Sequence, residues 1–341
     1  MAAAVARLHH HAMRACTLAV LALACCAGAH AARAQEAGTP QAPQQAAPPA
    51  APKGWTVRTD LQASLPRAVV VYERVEAKPP LRAFLVSARF DGTWRPEASQ
   101  PARGLLTTSQ QAGALGALVA VNAGYFVASG SVSAVVDEGV LVAKGAATVK
   151  REAHAHPVAR AAIGFAEDEH GAHAGVDCAW TWCFDDALFA LDAPAANAPG
   201  KPAPAPQRSQ GRPWRAQELL GGGPMLVEKG LVRITEAEEC FEGIGGGARH
   251  PRTAAGWTKD GRLLLLVVEG RSKASRGATL AETAQMLLEH GAEEALNLDG
   301  GGSTTLWVAG TRISQPSDEK GERPVASILA LVPQVKDRPA K

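Results

Sequence analysis

The sequence predicts an α+β fold, with a mixed β-sheet core and a few flanking helices gathered in one domain. Two observations carry this. Apolar runs of strand length recur between Gly, Pro, Asn and Asp, whereas only one segment has a complete set of helix signals. That segment lies between two strand-like runs, so strand, helix and strand follow one another over residues 262–299, the order of a crossover unit.

In chain order, strands are expected at residues 67–75, 81–90, 117–126, 161–166, 218–227, 253–258, 262–269, 295–299 and 325–332. Lys259-Asp260-Gly261 separates two of them, and Asp-Gly between apolar runs is a hairpin signal. The main helix starts at Thr279, where Glu282 three residues on completes a capping box. Leu280, Ala284, Leu287 and Leu288 form its apolar stripe, and Gly291 ends it. A shorter helix is expected over 109–118, and no repeat of fixed period is visible.

The folded part is expected over residues 54–335. Before it, residues 35–53 are almost entirely Ala, Pro, Gln and Gly, too poor in apolar bulk to build a core, and read as an extended linker. A second Pro/Ala-rich stretch, 193–210, reads as a loop insertion, because strand-like runs lie on both sides of it.

The N-terminus has Arg7 and Arg14 ahead of an apolar run, then Ala32-Arg33-Ala34, the pattern of a signal peptide over residues 1–34. The run is shorter than the roughly 20 residues of a spanning helix, so no transmembrane segment is expected after signal removal. The expected location is periplasmic or secreted. A lipoprotein anchor at Cys25 is the lesser alternative, since Ala22 stands where a larger aliphatic residue is usual. Cleavage would remove Arg7, Arg14 and Arg33, which brings 35 basic residues to 32 against 33 acidic ones. With that balance and no long block of like charge, nucleic acid is excluded as a partner. Cys178, Cys183 and Cys240 remain, and Cys178 with Cys183 is the expected disulfide in an oxidising compartment, although spacing alone leaves the pairing open.

The polar residues that end the apolar runs locate the chemistry. Alternation along a strand would make Glu269 project with Arg271, and Asn297 with Asp299. The runs Gly221-Gly-Gly-Pro224, Gly245-Gly-Gly247 and Gly300-Gly-Gly302 fit neither a Walker loop nor a dinucleotide fingerprint, yet their backbone N–H groups suit anionic oxygens, as do Arg252 and Arg271. Ser303 lacks the nucleophile elbow of a serine hydrolase, since Thr305 replaces its second glycine. His154, His156, His170 and His173 have irregular spacing in a polar stretch and read as solvent-exposed, so no metal ligand set is expected.

Asn122-Ala-Gly-Tyr-Phe126, Gly221-Gly-Gly-Pro-Met-Leu226, His250-Pro-Arg-Thr-Ala-Ala-Gly256, Val268-Glu-Gly-Arg271, the 279–291 helix and Asn297-Leu-Asp-Gly-Gly-Gly-Ser-Thr304 follow one another in an order that resembles the phosphodiester glycosidase family. The resemblance implies a single catalytic domain that hydrolyses the bond between a sugar's anomeric carbon and a phosphodiester, with a GlcNAc-1-phosphodiester-like substrate. An oxocarbenium-like transition state wants a carboxylate, and the departing phosphodiester wants positive charge. On that basis the catalytic candidates are Asp299, Glu269 and His250. Substrate binding is expected from Asn122, Tyr125, Gly222, Gly223, Arg252, Arg271, Asn297, Gly301, Gly302 and Ser303, with Tyr125 or Phe126 as a sugar platform. Relatives commonly have Asp where this chain has Glu269. No cofactor is implied, although a divalent cation at Asp299 would suit a carboxylate beside a carboxamide and phosphate oxygens. The alternative reading is a non-catalytic envelope protein that binds anionic polysaccharide during exopolysaccharide assembly.

Overall fold

Strand-forming runs dominate the chain, and the computed structural model arranges them in three large antiparallel sheets and three two-stranded ones, with two helices of eight or more residues, among the described residues, 50–151, 153–167, 173–242 and 247–334. The expected signal peptide, nearly all of the linker, His170 and Gly245-Gly246 lie outside the described residues. An eight-stranded sheet has Pro80–Arg89, Arg262–Val268, Arg252–Thr258 and Ala292–Asn297 side by side at its centre. A seven-stranded sheet contains Arg160–Glu167 between Glu218–Gly221 and His173–Phe184. A five-stranded sheet contains Val119–Asn122 between Leu306–Val308 and Ile328–Pro333.

After Arg262 the Arg262–Val268 strand is a continuous apolar run, because both of its faces are covered. Leu263, Leu265 and Val267 join a core shared with Val119, Val121, Ile163 and Leu329 from the other two sheets. Leu264, Leu266 and Val268 on the other face pack with Leu280, Ala284 and Leu287 of the Leu280–Glu289 helix. Each such leucine is fully buried, a contribution of roughly 2 kcal/mol apiece before entropy. The helix has its capping box: the Glu282 N–H donates to the Thr279 hydroxyl at 3.1 Å and the Thr279 N–H donates to the Glu282 carboxylate at 2.9 Å. Met286 is buried, while Leu288 is only partly so. The shorter helix is Thr108–Leu115, capped by Thr107 and Gln110 and ended by Gly116 at φ 59°.

The strand, helix and strand over 262–299 are present, but the sheet is not mixed where they enter it. Arg252–Thr258 lies between the two strands and pairs antiparallel with both, so the crossover spans an intervening strand and every ladder among the described residues is antiparallel. The 218–227 run is two strands, Glu218–Gly221 and Met225–Glu228, which belong to different sheets and are joined through Gly222, Gly223 and Pro224. Strands at Trp94–Ser99, Ala134–Asp137 and Ala187–Leu191 add to those expected.

The Cys178–Cys183 disulfide is corrected. Both residues lie in the His173–Phe184 strand at an odd spacing, which puts them on opposite faces and about 17 Å apart along it. Each is a free thiol.

Candidate functional site

The chain leaves the Ala292–Asn297 strand into Leu298-Asp-Gly-Gly-Gly-Ser303, and backbone bonds from three directions hold this loop. The Asp299 N–H donates to the Ala123 carbonyl at 2.8 Å, the Leu298 N–H to Thr253 at 2.8 Å and the Gly301 N–H to Pro251 at 2.9 Å. Asn122 ties the same parts together from inside. Its Nδ2 donates to the Asp299 carbonyl at 2.6 Å, while its Oδ1 accepts from the Thr253 hydroxyl at 2.7 Å and the Thr305 N–H at 3.1 Å. A fully buried carboxamide with these three bonds has no face for a ligand. Asn122 therefore positions the Asp299 loop, which corrects its assignment to substrate.

Beside this loop is a cleft of about 210 Å³ lined by Tyr125, His250, Arg252, Arg271, Asn297, Asp299, Gly301, Gly302 and Arg323. Burial pushes the Asp299 carboxyl up to about 6, with Ser303, Arg323 and the Gly300 N–H pulling the other way. Tyr125 stands at the back. Its hydroxyl donates to the Gly223 carbonyl at 2.8 Å and accepts from Asn297 Nδ2 at 2.9 Å, and burial raises its pKa. Asn297 also donates to the Leu298 carbonyl, whereas its buried Oδ1 has no partner, a group suited to a ligand hydroxyl.

Three guanidinium groups line the cleft with the carboxylate, and Arg323 acts on it through space. Arg252 is buried, with Nε and Nη2 donating to the Ala278 and Ala248 carbonyls at 2.9 and 3.1 Å, and burial lowers its pKa. Arg271 is exposed, with Nη2 3.5 Å from His250 Nδ1. Arg323 was not identified from the sequence. It lies in the charged 318–323 segment, which has no periodic signal, and Asp318 pairs with it at 2.7 Å. A Cβ on Gly302 would have to displace both members of that pair.

Several expected residues are placed elsewhere. The Arg262–Val268 strand ends before Glu269, and Arg271 turns away at φ 58°, so the two do not share a face. Glu269 is buried outside the cleft, where its carboxylate accepts from the Gln315 N–H at 2.8 Å and lies 3.8 Å from Arg82. Burial raises its pKa. Its catalytic assignment is corrected. Gly222 and Gly223 are corrected as well. A Cβ on Gly222 would strike the Asn297 carbonyl, and one on Gly223, at φ 106°, would strike Glu239 and Phe241, so close packing explains both. Ser303 is buried at the end of the short turn that follows Asp299. Phe126 packs near a separate apolar cluster rather than lining the cleft. No group of three or more His, Cys, Asp or Glu side chains converges among the described residues.

Residues 185–332 match the family model described as phosphodiester glycosidase. The N-acetylglucosamine-1-phosphodiester alpha-N-acetylglucosaminidases of cattle and human are 39% and 37% identical over 110 residues, or 30% of this chain and 21% of each relative. The chain thus aligns with about a fifth of the length of the curated relatives it matches. Among solved structures it resembles the zebrafish N-acetylglucosamine-1-phosphodiester alpha-N-acetylglucosaminidase catalytic domain, auto-inhibited by its pro-peptide. The TM-score is 0.54 at 19% identity, covering 77% of this chain and 82% of that one. A candidate exported protein of Burkholderia pseudomallei gives 0.54 at 18%, covering 80% and 75%. At these identities the likeness is one of fold. The family match contains the Arg252, Arg271, Asn297–Ser303 and Arg323 parts of the cleft, and over residues 185–332 the chain is similar to the phosphodiester glycosidase family.

Proposed function

We propose that this chain is an exported hydrolase that cleaves the bond between a sugar's anomeric carbon and a phosphodiester. The observation that carries the reading is one carboxylate, Asp299, with a pKa of about 6, in a cleft shared with Arg252, Arg271 and Arg323. A phosphodiester departs as a stable anion, so the leaving group needs cations and donors more than a strong acid. The arginines supply them, Arg252 from a buried and pre-oriented position and Arg271 from the mouth. A carboxyl of pKa about 6 is ionised near neutral pH and still basic enough to take a proton from water. In this scheme Asp299 is the general base or the stabilising carboxylate at the anomeric carbon. Asn297 Oδ1 accepts from a sugar hydroxyl, and His250 donates to a phosphoryl oxygen.

The placement of Glu269 outside the cleft favours a second reading, a non-catalytic protein that binds anionic polysaccharide in the envelope, because glycoside hydrolysis commonly uses two carboxyl groups. Assaying sugar release from glycosyl phosphodiesters with the purified chain and with Asp299→Asn separates the two. Release that depends on Asp299 supports the hydrolase. Saturable binding of anionic polysaccharide without release by the native chain supports the binding protein.

A further inference from the structure

A second cavity, of about 220 Å³, lies beside the cleft and is lined by Lys144, Arg160, Thr181, Trp182, Gly221 and Gly222 among others. The two are neighbours through Tyr125, which lines the Asp299 cleft, while the Arg160 guanidinium is 6.0 Å from the Tyr125 ring and 4.0 Å from that of Phe241. The Tyr125 and Phe241 rings have centres 5.1 Å apart and planes inclined at 42°.

The charges around this cavity are matched except at its floor. Lys144 pairs with Asp186 at 2.6 Å, and Asp185 pairs with Arg208 at 2.5 Å. Among the described residues no carboxylate lies within 4 Å of the Arg160 guanidinium, and its buried Nε has no hydrogen-bond partner. Glu239 is the nearby acid and acts on Arg160 through space, but it forms no ion pair with it, and its oxygens accept from the Ala161 and Met225 N–H groups, the Trp180 indole and the Thr235 hydroxyl. A guanidinium held mainly by aromatic faces, with an unused donor, is costly to bury unless an anion joins it. The half-buried Trp182 indole adds a flat apolar surface of the kind that sugar rings stack on.

We propose that this cavity binds an acidic sugar unit, with Arg160 gripping its carboxylate or phosphate and Trp182 under its ring. Resting on the glycosidase reading above, the unit is the group on the far side of the phosphodiester from the sugar held at Asp299. The substrate is then a glycosyl phosphodiester whose leaving group is an acidic sugar.

The first test needs no turnover. The purified chain is titrated with glucuronate, glucose 6-phosphate and glucose, and tryptophan fluorescence is followed in the native protein and in Trp182→Phe, Arg160→Gln and Arg160→Lys. The proposal expects saturation with at least one of the acids and none with glucose. It expects the signal change to be reduced in Trp182→Phe, and binding to weaken at least tenfold in Arg160→Gln and less in Arg160→Lys. The tighter acid identifies the anionic group. No saturable response to either acid in the native chain, or equal binding of glucose, overturns it. The second test compares KM for two diesters of one sugar, with methyl and acidic-sugar leaving groups, and expects Arg160→Gln to raise the second at least tenfold more than the first. Equal effects on both overturn the assignment to the leaving group. A chain that binds the acid but hydrolyses neither diester overturns that assignment and the glycosidase reading, and leaves the acid site standing.

Discussion

Asp299→Asn is expected to stabilise the folded chain above pH 6 even as it removes activity. The Asp299 pKa is raised from 3.8 to about 6 by burial, so the fold favours the protonated carboxyl. The cost of charging it is absent below the unfolded value, grows as the pH rises from about 4 to about 6, and is complete above that. The difference between the two values corresponds to about 3 kcal/mol. That figure already includes the opposing pull of Ser303, Arg323 and the Gly300 N–H, the groups that would lose a charged partner. Asparagine has the same shape and never takes the charge. For a domain approaching roughly 300 residues, 3 kcal/mol is a rise in Tm of about 5 °C. Urea and thermal unfolding of native and variant chains at pH 4 and pH 8 would show it, with the gain confined to pH 8. A variant less stable than the native chain at pH 8, or a gain equal at both values, would refute the reasoning.

On the proposed hydrolase reading, kcat/KM is expected to rise with pH to a plateau above about 6, as Asp299 ionises. Arg323→Gln removes a cation that holds that pKa down, so in a pH–rate profile its rising limb moves to higher pH, and kcat/KM falls by roughly 10- to 100-fold, about 1.4–2.7 kcal/mol. Asn122→Ala leaves the Thr253 hydroxyl, the Thr305 N–H and the Asp299 carbonyl without their buried partner, and urea unfolding is expected to show a loss of about 3 kcal/mol or more. Gly223→Ala puts a Cβ against Glu239 and Phe241 at φ 106°, and thermal unfolding is expected to show a loss of comparable size.

The parts of the site that local chemistry determines could be read from the sequence. The capping box at Thr279 and the polar loop after Asn297 are local, and both are where the residue pattern puts them. Arg252, Arg271, His250 and Asp299 do converge on one cleft. What could not be read depends on contacts distant in sequence. Asn122 and Asn297 are the same residue type at the ends of two strands, but Thr253 and Thr305 close over one while the other keeps an unpartnered oxygen. Gly222 and Gly223 have the composition of an anion cradle, yet Asn297, Glu239 and Phe241 occupy the space that their side chains would need. Glu269 and Arg271 obey strand alternation only if the strand continues, and it stops at Val268. Arg323 reaches the cleft from a charged segment whose sequence has no spatial signal. The antiparallel character of the central sheet depends on Arg252–Thr258 inserting between the strands of the crossover, a choice of register that no window of sequence contains.

The most direct test of the central claim is the release of free sugar from a panel of sugar-1-phosphodiesters, nucleotide sugars among them, by the purified chain with Asp299→Asn alongside. The account predicts release from at least one diester by the native chain and a loss of at least a thousandfold in the variant, which still folds. Release that persists in Asp299→Asn, or none from any diester by the native chain with or without added Ca²⁺ or Mg²⁺, would contradict it.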